Sequence, residues 1–263
     1  MDNIGIIIPA YNEERRIGKT LNVLTGYFEN LRKQKKLNYE ILIVINNTKD
    51  RTEEIVKSYE KKNKNIKSVN LVKGGKGFAV MEGFKIALKD KRNFNLIGFI
   101  DADLATPPEA FYDLVKNIGN NDGIIASRYI NGAIIEPKPS ILRKLASVGF
   151  ISVVRVLFFM PFHDTQCGAK VFTRRAITEL VKHLIQSNWA FDVNILYLLH
   201  KNGFKIKEIP TLWRDIEDSK LKVAKVSIQM FLAVLQLRII NSPFRRILRP
   251  LKLFIGPLWR IVK

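Results

Sequence analysis

Short apolar runs alternate with longer segments of helical periodicity through the first half of the chain. In the segment 13–33, Ile17, Leu21, Leu24 and Phe28 fall on one helical face. Further helices are predicted over 52–62 and 78–88, and another follows the two aspartates of 101–103 and ends at about residue 118. Buried strands are predicted over 4–8, 39–45, 66–72, 96–100 and 123–127. Repeated strand–helix units at this spacing predict an α/β protein with a doubly wound, mostly parallel sheet.

The pattern changes beyond residue 127. A loop that contains Pro137 and Pro139 leads to an apolar helix predicted for 141–160, and the segment 163–172 is predicted to be irregular. The remaining predicted elements are helices from residue 173 and over 189–199, and a strand over 204–212.

The C-terminal segment has a composition of its own. Residues 219–263 contain ten Lys or Arg and no Asp or Glu, interleaved with apolar residues. This pattern predicts two amphipathic helices that are broken near Pro243. We therefore expect a domain at 1–218 and a basic helical tail at 219–263.

Charge and length narrow the possible partners. The 263 residues carry a formal net charge of +20, which implies an anionic partner such as nucleic acid, anionic lipid or a phosphorylated substrate. Cys167 is the only cysteine, so no intramolecular disulfide is possible. We expect no signal peptide and no transmembrane helix, because the apolar stretch 145–162 contains Arg155 and is only marginally long enough to span.

Two aspartates follow the apolar run that ends at Ile100. Asp101 and Asp103 would lie at the carboxyl end of a buried strand, where open α/β sheets bind their ligands. An Asp-x-Asp turn can hold one hard divalent ion that also binds a diphosphate. The alternative is an ordinary turn before a helix that begins at Pro107 and Pro108.

Six short motifs bear on the choice between these alternatives. They are PAYNEE at 9–14, KGGKG at 73–77, DAD at 101–103, SRY at 127–129, DTQCGAK at 164–170 and WAFDV at 189–193. Together they resemble family 2 glycosyltransferases, most closely the dolichyl-phosphate β-glucosyltransferase branch, with similarity also to polyprenyl-phosphate mannosyltransferases. The resemblance runs from about residue 4 to residue 225.

The resemblance implies a Rossmann-like GT-A fold, a nucleotide-sugar donor, Mg²⁺ or Mn²⁺, and inverting transfer to a lipid phosphate. Asp101 and Asp103 are then the metal ligands, and they act with Arg128 as the catalytic residues. The implied nucleotide-binding residues are Pro9, Tyr11, Glu13, Asn46, Asn47, Lys76 and Asp101.

The chain departs at two positions from the pattern of the family that it resembles. Mannosyltransferase relatives carry a glutamine where this chain has Ala105, so a third metal ligand is missing there. Asn46 and Asn47 stand where the family usually has two aspartates, which removes a negative charge that would favour guanine. We therefore expect UDP-glucose as the donor, with GDP-mannose as the alternative.

The acceptor is expected to be dolichyl or another polyprenyl phosphate, which needs no general base because its phosphate is largely a dianion at neutral pH. By resemblance its phosphate is bound by Arg128, Arg143, Ser147 and Arg214, and the sugar contacts Asp164, Gln166 and Asp192. Cys167 is expected to be a packed residue and not a nucleophile.

The basic tail is expected to attach the protein to anionic lipids as a peripheral protein of the cytoplasmic face, with the helix 141–160 as a lipid-facing wall. A nucleic-acid-binding protein would also explain the charge, but the aromatic residues fall mainly at core spacing and no nucleic-acid-binding motif is present, so we expect no nucleic acid partner. A non-catalytic membrane adaptor would need the tail but not the two aspartates.

Overall fold

The computed structural model describes residues 1–183, 190–214 and 223–242. In chain order its elements are β1 (Asp2–Ala10), α1 (Ile17–Lys33), β2 (Leu37–Asn46), α2 (Thr52–Lys62), β3 (Ile66–Leu71), α3 (Lys76–Lys89), β4 (Leu96–Ile100), α4 (Pro108–Asn117), β5 (Gly123–Ser127), β6 (Ile134–Glu136), α5 (Ile141–Phe158), β7 (Ala169–Thr173), α6 (Arg174–His183), α7 (Phe191–Lys201), β8 (Ile206–Pro210), β9 (Leu212–Arg214) and α8 (Val223–Ile240).

Seven strands form one sheet in the order β3-β2-β1-β4-β7-β5-β8. β7 runs antiparallel to both of its neighbours, and the other paired strands are parallel. The predicted α/β architecture with a mostly parallel sheet is therefore confirmed. The carboxyl ends of β1, β2 and β4 meet at one edge, which is the edge where the predicted nucleotide and metal residues lie.

The sheet is covered on both faces, as its continuous apolar strands require. On one face Phe28 of α1 and Phe111 of α4 pack in one apolar cluster with alternate residues of the central strands. On the other face Phe84 of α3 and Phe172 pack with α5, α6, α7 and α8. The two apolar clusters pack the helices against the two faces of the sheet and so hold the strand ends in place.

The prediction that 163–172 is irregular was confirmed for 163–168 but was wrong from residue 169. Ala169–Thr173 forms β7, which is inserted between β4 and β5 in the middle of the sheet. The apolar run here is interrupted by Lys170, which is completely buried because its ammonium group donates to Asp192 and to the Cys167 carbonyl, each at 2.6 Å. Because a charged residue occupies a core position, the hydrophobic pattern did not indicate a strand here.

The strand predicted over 204–212 was confirmed for 206–210, but it does not continue to 212 in the same sheet. The chain forms β8 in the main sheet and then β9, which pairs in parallel with β6 in a separate two-stranded sheet. Thr211 lies at the change of sheet, where its N–H donates to Ser127 and its carbonyl accepts from Ile134. This transfer places β9 above the carboxyl edge of the main sheet.

Several predicted helix boundaries shift, including the first residues of three helices. α1 begins at Ile17 and not at residue 13, because 13–16 form a turn in which the Glu13 carbonyl accepts the Ile17 N–H. α3 begins two residues earlier than predicted, at Lys76, and α7 begins at Phe191.

α5 and α8 pack together beside the sheet. Val154 and Phe158 of α5 join the same core cluster as Ala233, Val234 and Leu237 of α8. Phe231 and Ile239 of α8 are exposed, so apolar side chains of this helix face solvent as well as the core. The described side chains of α8 therefore do not form the single apolar stripe of an amphipathic helix. The rest of the predicted tail, 219–222 and 243–263, lies outside the described residues.

α5 also has an exposed apolar face. The side chains of this face recur at helical spacing and continue one residue past the helix, and they are Ile141, Leu145, Val148, Val156 and Phe159. Within the described ranges, none of the helices combines the length and the hydropathy needed to cross a bilayer.

Candidate active site

The loops after β1 and β2 and the turn before α3 are joined by one buried side chain. The Asn46 amide donates to the Ala10 carbonyl at 3.1 Å and accepts the Gly75 N–H at 3.1 Å. Gly75 has a φ of 123°, a conformation that side chains rarely adopt, which explains the glycine at this point of the turn. Because its amide holds these three loops together, the geometry does not support a direct contact of Asn46 with the nucleotide base.

Asp101 lies at the end of β4 and packs against the DTQCG segment. Its backbone N–H donates to the Gly168 carbonyl at 3.2 Å. A Cβ on residue 168 would overlap the Asp101 carboxylate, so only glycine leaves room for that carboxylate in its observed position. The antiparallel pairing of β4 with β7 thus brings two distant motifs, DAD and DTQCG, into contact.

Lys76, the first residue of α3, forms an ion pair with Asp101. The distance from its Nζ to the Asp101 Oδ1 is 2.6 Å, and 38% of the lysine side chain remains exposed. Burial acts to lower the pKa of Lys76, but the carboxylates of Asp101 and Asp192 outweigh it and raise the pKa above its usual value. The lysine is therefore a stable cation at the position where a metal ion is expected.

Asp103 follows in an Asx turn, in which its Oδ1 accepts the Ala105 N–H at 3.0 Å. Its other carboxylate oxygen accepts no hydrogen bond from the described residues. Ala105 is buried, and its carbonyl accepts the Arg214 N–H at 2.7 Å, which ties β9 to this loop. No cluster of three His, Cys, Asp or Glu side chains suited to a metal occurs in the part of the chain that the structure describes. Two carboxylates that share the ion with substrate phosphates are nevertheless a donor set that Mg²⁺ uses.

The three other nucleotide candidates after β1 and β2 differ in accessibility. The Tyr11 ring is 52% exposed, and Asn47 is exposed with a φ of 51°. The Glu13 carboxylate instead forms a bidentate ion pair with Arg16. Pro9 is buried in β1, so it shapes the turn and does not itself offer a polar contact.

Arg128 and Asp164 form a buried ion pair. The Asp164 side chain is 0% exposed and accepts five hydrogen bonds, three from Arg128 at 2.7–3.0 Å and one each from the N–H groups of Gln166 and Cys167 at 3.1 Å. Burial would raise the pKa of Asp164, but the neighbouring Arg128 outweighs it and lowers that pKa. The geometry does not support the predicted contact of Asp164 with the sugar, since both of its oxygens are engaged.

The guanidinium of Arg128 is held further by two aromatic rings. It lies 4.8 Å from the centre of the Trp213 ring and 5.3 Å from that of Tyr129. Only 17% of its side chain is exposed, and that part borders a cavity of about 40 Å³. Ser147 and Lys144 of α5 line the same cavity, so the structure brings Ser147 to Arg128 as predicted and adds a second cation. The side chain of Arg143 lies outside the described residues.

Arg214 lies on the other side of β9. Successive side chains of a strand point to opposite faces, so Trp213 lines the Arg128 cavity, whereas Leu212 and Arg214 line a groove of about 1140 Å³ that also contains Asp103. The structure therefore does not place Arg214 with Arg128 and Ser147. β9 separates the groove that contains Asp103 from the arginine cavity.

The two other sugar candidates differ in their contacts. The Nε2 of Gln166 is a buried donor that finds no partner within the described part of the chain, which suits contact with a substrate hydroxyl. Asp192, in the first turn of α7, is instead paired with the buried Lys170. Cys167 is fully buried and burial raises the pKa of its thiol to about 12, which confirms it as a packed residue.

Four residues that support this site were not predicted. Lys170, Gly168, Lys144 and Trp213 were missed, although the first two lie inside the DTQCGAK motif that was recognised. Their roles depend on contacts between segments that are distant in the chain, and no local pattern reports such contacts. Trp189 of the WAFDV motif lies outside the described residues.

Known proteins resemble this chain in fold and in sequence. Glucosyl-3-phosphoglycerate synthase from Mycobacterium tuberculosis, solved in complex with Mn²⁺, UDP and phosphoglyceric acid, matches with a TM-score of 0.66 at 15% identity, over 92% of this chain and 80% of that chain. The same enzyme has been solved with Mg²⁺ and UDP. At this identity the match shows the fold alone, and the GT-A fold predicted from the motifs is confirmed.

The sequence matches are closer. The family model for glycosyl transferase family 2 matches residues 5–194. A dolichyl-phosphate β-glucosyltransferase from Dictyostelium discoideum is 36% identical over 251 residues, which is 90% of this chain and 75% of the relative. The human dolichyl-phosphate β-glucosyltransferase is 32% identical over 230 residues, which is 83% of this chain and 69% of the relative. This chain therefore belongs to glycosyl transferase family 2, within the group of the dolichyl-phosphate β-glucosyltransferases.

Proposed function

We propose that this chain transfers glucose from UDP-glucose to dolichyl phosphate, with inversion at the sugar C1. The observation that carries this proposal is the presence of two charged centres at one edge of the sheet. One is a carboxylate pair at the end of β4, and the other is the Arg128 cavity, which adjoins α5 and its exposed apolar face. A sugar nucleotide and a lipid phosphate need these two centres.

The donor half of the site binds a nucleoside diphosphate. The exposed Tyr11 ring can stack on uracil, and Gln166 offers its unpartnered donor to a sugar hydroxyl. Asp101 and Asp103 would hold Mg²⁺ or Mn²⁺, which when bound neutralises the diphosphate as it leaves. The amino end of α3, with Lys76, provides N–H groups and a cation near that diphosphate.

The acceptor half of the site holds the lipid phosphate. This group has a second pKa of about 6, so it is already a nucleophile at neutral pH. A phosphate oxygen forms a bond to C1 while the bond from C1 to the UDP oxygen breaks, and the electron pair leaves with UDP. Arg128 and Lys144 orient the phosphate for this attack. Asp192 is not needed as a base, and its carboxylate is already paired with Lys170.

The exposed apolar face of α5 provides a contact for the bilayer. It begins next to Lys144 and Ser147, so a lipid chain that extends from a phosphate in the cavity can follow the helix into the membrane. Burial of these side chains in the acyl region contributes about 0.8 kcal/mol for each methylene, and the basic tail adds attraction to anionic lipids. We propose that the enzyme works as a peripheral protein at the cytoplasmic face.

Transfer to a lipid tests the proposal directly. The full chain is incubated with radiolabelled UDP-glucose, dolichyl phosphate and Mg²⁺ or Mn²⁺, and label is measured after organic extraction. D103A should abolish the lipid-linked label, whereas D113A, a change in an exposed surface ion pair, should retain it. A parallel reaction with GDP-mannose tests the alternative donor. A non-catalytic membrane adaptor would bind vesicles but form no labelled lipid from either donor.

A further inference from the structure

The ion pair of Lys76 with Asp101 lies on one of the two carboxylates assigned to the metal. Its Nζ is 2.6 Å from the Asp101 Oδ1 and feels the negative charges of Asp192 and Asp103 as well. A divalent ion that binds to this oxygen is repelled by the ammonium group that already lies at hydrogen-bond distance from it. The lysine and the metal therefore compete for one ligand.

The charges around this ligand favour joint binding of metal and nucleotide. Three carboxylates, Asp101, Asp103 and Asp192, face two ammonium groups, Lys76 and Lys170, so this group of five has a net charge of −1. A divalent ion alone would change this charge to +1, and a UDP-sugar alone, with two negative charges, would change it to −3. The two together leave it at −1, which is the least costly change in a partly buried site.

The two lysines differ in their freedom to move. Lys170 is 0% exposed and is fixed by Asp192 and the Cys167 carbonyl. Lys76 has 38% of its side chain exposed and is the first residue of α3, directly after Gly74 and Gly75. Its long side chain can leave Asp101 and reach a diphosphate at the amino end of that helix without rearranging the core.

We propose that Lys76 is a placeholder cation that couples metal binding to nucleotide binding. It occupies Asp101 until a nucleotide arrives, keeps metal binding weak in the absence of nucleotide, and moves to the diphosphate when the metal takes its place. Coupling of this kind is reciprocal, so the metal and the nucleotide strengthen each other's binding by the same factor. The inference rests on the proposed function, because it assumes that a metal and a UDP-sugar bind at this edge.

Mn²⁺ binding without turnover tests the proposal. Free Mn²⁺ is measured by electron paramagnetic resonance during titration of the full chain, with and without UDP, for the native protein, K76M, K76R and K73M. K76M removes the competing cation, so its affinity for Mn²⁺ alone should rise about tenfold, and UDP should enhance it less than in the native protein. K76R keeps a cation and should resemble the native protein. K73M removes the same charge from the same turn, at an ammonium group that lies over the Phe78 ring, and should also resemble it.

Circular dichroism establishes that each variant is folded, and the K76M/D101N double variant locates the effect. Adding D101N should eliminate the gain in Mn²⁺ affinity, because the carboxylate uncovered by K76M is then absent. Unchanged or weaker Mn²⁺ binding by K76M, or an equal gain in K73M, would overturn the placeholder role. Native protein that binds Mn²⁺ and UDP jointly but transfers no glucose to dolichyl phosphate would instead refute the proposed function, and K76M would still test the lysine.

Discussion

Replacement of Asp164 by alanine tests the buried ion pair that orients Arg128. The substitution removes the acceptor of five hydrogen bonds and leaves the guanidinium with 17% of its side chain exposed and no counter-charge at its side. The stacked rings of Tyr129 and Trp213 remain but cannot replace a carboxylate. Both the stability of the fold and the orientation of the proposed phosphate ligand should therefore suffer.

The expected size of the effect follows from the burial of the pair. Removing one partner of a buried ion pair costs about 3–5 kcal/mol, because the other charge stays buried without compensation. Two of the lost bonds also come from backbone N–H groups of the DTQCG segment, so we expect a value towards the upper end of this range. A domain of this kind has a total stability of about 5–15 kcal/mol, so D164A should lose about a third or more of it.

Urea unfolding followed by circular dichroism measures this loss. D113A serves as the matched control, since Asp113 forms an ion pair with Lys116 in which both side chains are 51% exposed, and it should change the free energy of unfolding by less than about 0.5 kcal/mol. D164N keeps the shape of the side chain and should fall between the two. A loss below about 1 kcal/mol for D164A, with an unchanged urea slope, would refute the argument that Arg128 depends on this carboxylate.

The same contacts support three further predictions. The first concerns pH: because Arg128 holds the pKa of Asp164 below its unfolded value of about 3.9, the stabilisation by this pair is complete above a pH of about 3.9 and is lost as the pH falls through the lower, folded value. The difference in unfolding free energy between the native protein and D164N should therefore shrink in acid and stay constant between pH 5 and 8. The second concerns Gly168: G168A should displace the Asp101 carboxylate and lower kcat/KM for glucosyl transfer about 100-fold. The control G26A, where an added Cβ meets no atom within 4 Å, should retain activity. Equal activity of the two variants would contradict the packing argument. K170M should destabilise the fold by about 3 kcal/mol or more in urea unfolding because it leaves Asp192 buried and unpaired, and K170M/D192L should recover most of that loss if the ion pair alone is responsible.

The regular part of the fold could be predicted from periodicity. Every strand over 4–8, 39–45, 66–72, 96–100 and 123–127 was confirmed, because each is a continuous apolar run that a sheet buries on both faces. The DAD motif could be placed at a strand end for the same reason. Element boundaries moved by a few residues where turns such as 13–16 continue the polar pattern of the helix they precede.

What periodicity could not predict depends on side chains that meet across the sheet. β7 was missed because a lysine in an apolar run indicates an exposed position. Only the contact with Asp192, 22 residues away, shows that the charge of Lys170 is neutralised in the core. Asp164 was assigned to the sugar because a carboxylate in a recognised motif suggests a ligand contact, and only the position of Arg128 shows that this carboxylate is already used. The motifs located the site, but the partners of each charge decided its role.

This distinction separates the four acidic residues of the site by function. Asp164 is fully buried and saturated, Asp192 is paired with an immobile lysine, Asp101 is paired with a lysine that can move, and Asp103 keeps one oxygen without a partner among the described residues. The accessibility of each carboxylate to a metal ion increases in that order. On the proposal made for Lys76, a cation entering from the groove would meet Asp103 first and would gain Asp101 only when the negative charge of a diphosphate draws Lys76 away. This gradient from saturated to open carboxylates would let a strongly basic chain keep a cation site that fills only together with its anionic substrate, as proposed for Lys76.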